Sequence, residues 1–448
     1  MKNNRPINYL TGKLADAHLK ELLKGSSIAF AFRITGMLTG YMFTLLISRN
    51  LGAGAVGIFA LSLTVLTVFS VVGRLGFDTA LLRFVAEYSS QDRWDLVKEV
   101  YLKAIKLVVP LTILLSGLLF FSSTFIANYV FHKEYLGTSF MLVSFAILPM
   151  VLIFINSESL RGLKKIKEYV FLQNVSVFLF ATIILAVALL FTKDEHVPVI
   201  AYIVSLFFVS VLSLTHWLRS ARLNEITRGN GVKLKTILNV SLPLLLSSSL
   251  FLIMQWTDTI MLGVFRAEAE VGVYSVALKV AGLTSVALFA INSIAAPKFA
   301  EFYGRGDMEG LGKIARQSTK LIFWTSFPIL LIFLLFPTFI LGIFGGEFKT
   351  GAYALIILTF GQFVNAISGS VGYILQMTGK QRVFQGIILL ATVINIILNV
   401  ILIPHYGING AALASFVSIG AWNLLSVIFI KVHFKFFTVY FPLLKALR

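Results

Sequence analysis

The segment from Ser26 to Ser48 is apolar enough and long enough to cross a bilayer, yet it carries Arg33 and no acid. On a helix of 3.6 residues per turn, Ser26, Arg33, Gly36, Gly40, Thr44 and Ser48 fall within about 60° of one line. One face of this span is therefore polar and small. A tight connection from Arg49 to Ala55 leads into a second apolar helix that opens with Val56-Gly57-Ile58-Phe59. About 215 positions later the pattern returns. Leu262-Gly263 ends an apolar helix bearing Asp258, and Val271-Gly272-Val273-Tyr274 opens the next, bearing Lys279.

A chain of 448 residues that is 58% hydrophobic and 13% charged, with a mean hydropathy of +0.89, exposes more apolar surface than water tolerates. It reads as an all-α integral membrane protein. Its charge-free runs predict twelve transmembrane helices near 26–48, 55–75, 104–129, 135–158, 168–192, 197–218, 237–264, 271–296, 319–345, 350–377, 383–403 and 409–431. The net charge of +18 does not point to nucleic acid, because the basic residues follow the topology. Thirty of the 38 Lys and Arg fall at the two termini and in every second loop, against five in the loops between. That asymmetry places both termini in the cytoplasm and the chain in the plasma (inner) membrane, with attraction to anionic membrane lipids as a secondary effect.

The repeat extends beyond the hairpin. Arg83-Phe84-Val85-Ala86-Glu87-Tyr88 matches Lys298-Phe299-Ala300-Glu301-Phe302-Tyr303, and each precedes a polar segment and a long apolar span. Two six-helix bundles follow, residues 26–218 and 237–434, joined by a basic linker over 219–236 and flanked by an interfacial amphipathic segment over 1–25 and a tail over 435–448. Six being even, both bundles enter from the same side, so they should be related by a pseudo-two-fold axis along the membrane normal. Prolines 110, 149, 243, 297, 328 and 337 are expected to bend the spans.

Ionisable residues inside spans are the candidate site. Arg33 lies roughly 12 Å into its helix and is either a snorkelling or structural cation or a fixed charge in an aqueous cavity. Gly36 and Gly40 also form a GxxxG, which serves close helix packing. Asp258 and Lys279 sit at equal depth on adjacent helices, so either they pair with each other or they line a site for anions or protons. Gln255 shares a face with Asp258. Gln362 with Asn365, and Asn395 with Asn399, are spaced for interhelical hydrogen bonds. The chain has no cysteine, its six histidines lack ligand spacing, and no P-loop or Ser/His/Asp arrangement is present. No metal, no cofactor and no enzymatic activity are expected.

The helix ending Ser48-Arg49-Asn50-Leu51-Gly52, the Val56-Gly57-Ile58-Phe59 opening and the run Gly76-Phe77-Asp78-Thr79-Ala80-Leu81-Leu82-Arg83-Phe84 resemble the O-antigen-type polysaccharide flippases. These belong to the multidrug/oligosaccharidyl-lipid/polysaccharide exporter superfamily. The resemblance implies flipping of a polyprenyl-pyrophosphate-linked oligosaccharide by alternating access, with helices 1, 2, 7 and 8 lining a cationic cavity. It carries Arg33 and Lys279 as substrate-binding residues, with Asp258 and Gln255 beside them, and it allows a coupling ion, proton or sodium, at Asp258. A drug or cation antiporter of the same superfamily would want acidic walls. A lipid II flippase would be expected to add helices beyond twelve.

Overall fold

In a bilayer the backbone must satisfy its own hydrogen bonds, which leaves helices or a closed barrel. The computed structural model describes residues 5–221, 231–440 and 442 and, among them, no strand. The first half holds α1 (Arg5–Arg74), α2 (Phe77–Ser90), α3 (Trp94–Phe125), α4 (Leu136–Ser144), α5 (Ile147–Gly162), α6 (Ile166–Val170), α7 (Val177–Ala188) and α8 (Val197–Ser220). The second holds α9 (Leu234–Phe265), α10 (Glu268–Gly282), α11 (Val286–Gly304), α12 (Met308–Leu335), α13 (Pro337–Gly342), α14 (Ala352–Ser368), α15 (Val371–Met377) and α16 (Gln381–Phe434).

Eight helical stretches among the described residues are long and apolar enough to cross a membrane, or nine when the α4–α5 pair, bent by 46°, counts as one. Two of the eight are long enough to cross twice. Phe30–Arg74 has 45 residues and Gln381–Phe434 has 54, about 65 to 80 Å at 1.5 Å per residue against a hydrocarbon layer of about 30 Å. Each contains one non-helical residue, Gly52 (φ 84°, ψ −175°) in α1 and Gly407 (φ 55°, ψ −131°) in α16. Side chains resist such positive φ, so the break falls where glycine removes the penalty. The loops expected at 49–55 and 404–407 are thus each compressed to a glycine within helix. The helix expected near the N terminus begins at Arg5 and joins the first span without interruption.

The other irregularities are π-helical turns at Ile126–Val130 and Phe171–Ser176 and a 3₁₀ turn at Leu283–Ser285 between α10 and α11. Pro110, Pro297 and Pro328 lie inside α3, α11 and α12, which continue through them. Pro149 follows the α4–α5 bend, and Pro337 opens α13.

Apolar burial shows how the halves meet. One large core takes Phe43, Ile47, Ile58 and Leu61 from the first half together with Leu262, Val273, Ala277, Phe348 and Ile408 from the second. These residues cluster at the end of the molecule marked by Gly52 and Gly407. At the opposite end Phe299, Leu311, Val371, Ile374, Ile430 and Phe434 form a separate core drawn from the second half. There the start of the second half is clasped by α3. The Glu99 carboxylate accepts from the Gly231 N–H at 3.0 Å and the Val232 N–H at 3.4 Å, while Lys103 pairs with Glu99 at 2.6 Å and donates to the Val232 carbonyl.

The closest approach at the glycine end involves the repeated motif itself. A Cβ on Gly57 would overlap the Glu268 carbonyl oxygen, and one on Gly272 would overlap the Ala53 carbonyl oxygen. The two contacts are reciprocal: Ala53 and Gly57 in one half correspond to Glu268 and Gly272 in the other, at the 215-residue offset. Backbone meets backbone here because neither glycine has a side chain to hold the helices apart.

Candidate functional site

Helix α1 runs antiparallel to α10 and α11 across the junction of the halves. Near the tight end the Lys279 ammonium donates to Thr44 Oγ1 at 2.7 Å, and the Tyr41 hydroxyl donates to the Lys279 carbonyl at 2.6 Å. Farther along, the Arg33 guanidinium lies over the Phe289 ring, 4.3 Å from its centroid. Eleven residues separate Thr44 from Arg33 and ten separate Lys279 from Phe289, so both strips of helix cover about 15 Å. Packing loosens along this seam. Thr44 is 2% exposed, whereas Leu38 is 64% and Phe289 43% exposed, and Gly282, one turn past Lys279, faces open space. Neither cation has an acidic partner among the described residues.

The predicted small polar stripe on α1 divides between two neighbours. Gly36 packs against the backbone of Asn174 and Gly40 against the ring of Phe178. Close helix packing therefore accounts for the GxxxG. Thr44 alone of the stripe reaches Lys279.

Asp258 and Lys279 do not pair. The Asp258 carboxylate, 2% exposed, is surrounded by neutral donors from the second half. Oδ1 accepts from Asn399 Nδ2 at 2.6 Å and Asn395 Nδ2 at 3.1 Å; Oδ2 accepts from the Tyr274 hydroxyl at 2.7 Å and from the Ser415 hydroxyl. Asn395 Nδ2 also approaches Ser418 Oγ at 3.3 Å. Equal depth on adjacent helices was compatible with an ion pair, but the side chains diverge: Asp258 toward α16, Lys279 toward α1. Four donors compensate part of the desolvation of a carboxylate and leave its charge without a countercharge. Asn395 and Asn399 make the interhelical bonds their spacing suggested, and Gln362 accepts from Ser285 at 2.6 Å. Gln255 is exposed and stands outside the Asp258 cluster.

Sequence reasoning missed Tyr274 and Ser415 as partners of Asp258, and Tyr41 and Phe289 along the seam. Tyr274 follows Gly272 in the repeated motif, but no periodicity relates Ser415 to a residue 157 positions earlier.

The glycine end is held by polar contacts across the halves. Arg49 donates from Nε to the Ile343 carbonyl at 2.7 Å and from Nη2 to the Gly342 carbonyl at 3.4 Å. The Ala53 N–H donates to Glu347 Oε1 at 2.7 Å. Lys133 donates to the Arg266 carbonyl and lies 4.0 Å from Glu268, whose carboxylate also takes the Tyr135 hydroxyl. Burial lowers the Lys133 ammonium pKa, and the charges of Glu268 and Glu270 oppose that shift.

The architecture is that of a helical membrane protein, and solved transporters share it. Over 91% of this chain and 87% of theirs, it superposes on "Lipid II flippase MurJ, inward closed conformation" with a TM-score of 0.72 at 14% identity. An inward-facing multidrug resistance MATE family transporter of the MOP superfamily gives 0.71 at 14% identity, covering 92% of this chain and 98% of that one. Among curated proteins, the probable low-salt glycan biosynthesis flippase Agl15 of Haloferax volcanii is 23% identical over 90% of this chain and 82% of its own length. The probable flippase AglR of the same organism is 25% identical over 91% and 83%. The polysaccharide biosynthesis protein family matches residues 22–303, and the MatE family matches residues 243–401. The chain belongs to the polysaccharide biosynthesis protein family.

Proposed function

We propose that this protein is a flippase that moves a polyprenyl-pyrophosphate-linked oligosaccharide from the inner to the outer leaflet for surface polysaccharide assembly. The observation that carries this reading is the line of two cations, Lys279 and Arg33, along the junction between the halves, neither with an acidic partner among the described residues. A pyrophosphate needs fixed positive charge in a wet cleft, while its lipid tail stays in the bilayer. Counting the glycine breaks as turns supports twelve crossings in two six-helix halves, and the bias of basic residues supports a cytoplasmic side opposite the glycine end. In this reading the outer side is closed by the Gly57–Gly272 contact and the Arg49, Glu347 and Glu268 bonds.

Outward movement of two negative charges is favoured by about 2.3 kcal/mol per charge per 100 mV when the inside is negative, so ATP is unnecessary for that stroke. Asp258 is the residue for a coupling ion, proton or sodium, because an unpaired carboxylate among neutral oxygen and amide groups has one charge to offer. A cation antiporter would want the seam itself acidic; the acid here lies apart from the cations.

The test is Arg33→Ala. Its guanidinium is exposed and bonded to no core group, so the variant should insert at the normal level and lose export of surface polysaccharide at least tenfold. Normal export would remove Arg33 from the site.

A further inference from the structure

The glycine end carries a second basic feature that the transport seam does not use. A cavity of about 360 Å³ opens there, lined by Arg49 from the first half and by Thr338, Phe339, Gly342, Ile343 and Lys349 from the second. That volume lies within the range of roughly 300–1,000 Å³ typical of small-ligand sites. Its donors are held but not consumed. Arg49 uses Nε and Nη2 on the Ile343 and Gly342 carbonyls, which fixes the guanidinium and leaves Nη1 free to face a ligand. Lys349 lays its alkyl stem along Gly342 and is exposed, with no acid in ion-pair range among the described residues. The nearest carboxylate in sequence, Glu347, is turned to the Ala53 N–H. Two cations and the Thr338 hydroxyl lining one opening suit a phosphate, which accepts several charge-assisted bonds at once.

The surroundings decide the kind of phosphate. Phe339 and Ile343 in the lining are 71% and 44% exposed, and Leu335, Phe336 and Tyr353, within four residues of lining residues in sequence, are 69%, 54% and 72% exposed. The exposed Leu, Ile and Phe side chains offer an apolar surface to acyl chains, and Tyr353 with Lys349 marks the headgroup level. We propose that this cavity binds the phosphate headgroup of an anionic membrane lipid in the leaflet at the glycine end, with acyl chains on the adjoining apolar surface. The bound phosphate bridges Arg49 of one half to Lys349 of the other. Binding itself does not depend on the transport reading; its consequence does, since the lipid spans the junction that must part when the carrier opens on this side.

The experiment is native mass spectrometry of the full-length protein in detergent, titrated with dioleoyl phosphatidylglycerol or with the zwitterionic phosphatidylcholine. The tightest phosphatidylglycerol adduct should weaken about fivefold in Lys349→Ala and further in Lys349→Glu, the size of one exposed charge-assisted contact. Phosphatidylcholine adducts should not change, and millimolar inorganic pyrophosphate should not displace the anionic lipid. Equal retention of phosphatidylglycerol by the parent and both variants overturns the site. Full displacement by pyrophosphate overturns the lipid assignment. Because Lys349 is exposed, both variants should fold, and loss of transport in Arg33→Ala with the adduct intact would separate this site from the seam.

Discussion

Gly57→Val will prevent the two halves from closing at the glycine end. The new side chain has no room beside the Glu268 carbonyl, and the helix cannot shift without separating Gly272 from Ala53 as well. Overpacking of this kind costs about 3 kcal/mol or more, on the order of a hundredfold in the population of the closed form. The chain contains no cysteine, so a cysteine pair at positions 49 and 343, whose parent residues touch across the junction, can be introduced without background. A short bifunctional thiol reagent should join them readily in the parent and about tenfold less in the Gly57→Val background. Undiminished linkage would show that this contact does not govern closure. Transport should fall with the linkage, because a carrier that cannot seal one side has lost one of its two states.

Asp258→Asn should separate stability from coupling. An asparagine can accept from Asn395 and Asn399 through its oxygen and donate to both Ser415 and Tyr274 through its two N–H groups, so every buried partner keeps a bond. Removing a buried charge that lacks a countercharge should leave the melting temperature unchanged or higher. If the carboxylate carries the coupling ion, reconstituted Asp258→Asn protein should lose its response to an imposed proton or sodium gradient, with flipping down at least tenfold. Retention of the parent's gradient dependence in this variant would end the assignment. Asp258→Ala is the contrasting case, since it takes the acceptor from four buried donors, the Asn395 and Asn399 amides and the Tyr274 and Ser415 hydroxyls, at about 1–3 kcal/mol each.

Much of this fold could be read before any coordinates. Apolar runs marked the chain as all-helical and membrane-crossing, though eight or nine candidate spans stand among the described residues where twelve were expected, and the 215-residue echo of Val-Gly marked two helices that touch. Arg33 and Lys279 stood out because a cation inside an apolar run demands a reason, and both lie at the junction of the halves. What the residues could not reveal is direction. Asp258 and Lys279 share a depth, yet which neighbour each addresses depends on helix rotation, and three of the four partners of Asp258 lie 137 to 157 positions away and that of Lys279 235 away. Backbone irregularities were also hidden. The π-helical turn at Phe171–Ser176 contains no proline or glycine, so local propensity gives no warning of it. Conversely, the prolines at 110, 297 and 328 bring no break because helix hydrogen bonding resumes on either side.

The reciprocal meeting of Ala53 with Gly272 and of Glu268 with Gly57 is an isologous contact, the kind made by identical protomers about a dyad. Yet the counterparts of Arg33 and Lys279 at the same offset are the uncharged Ser248 and Thr64. The clamp is even-handed while the charge beneath it is lopsided, and a cargo with a distinct anionic head and a neutral remainder would therefore enter in one orientation and not its mirror.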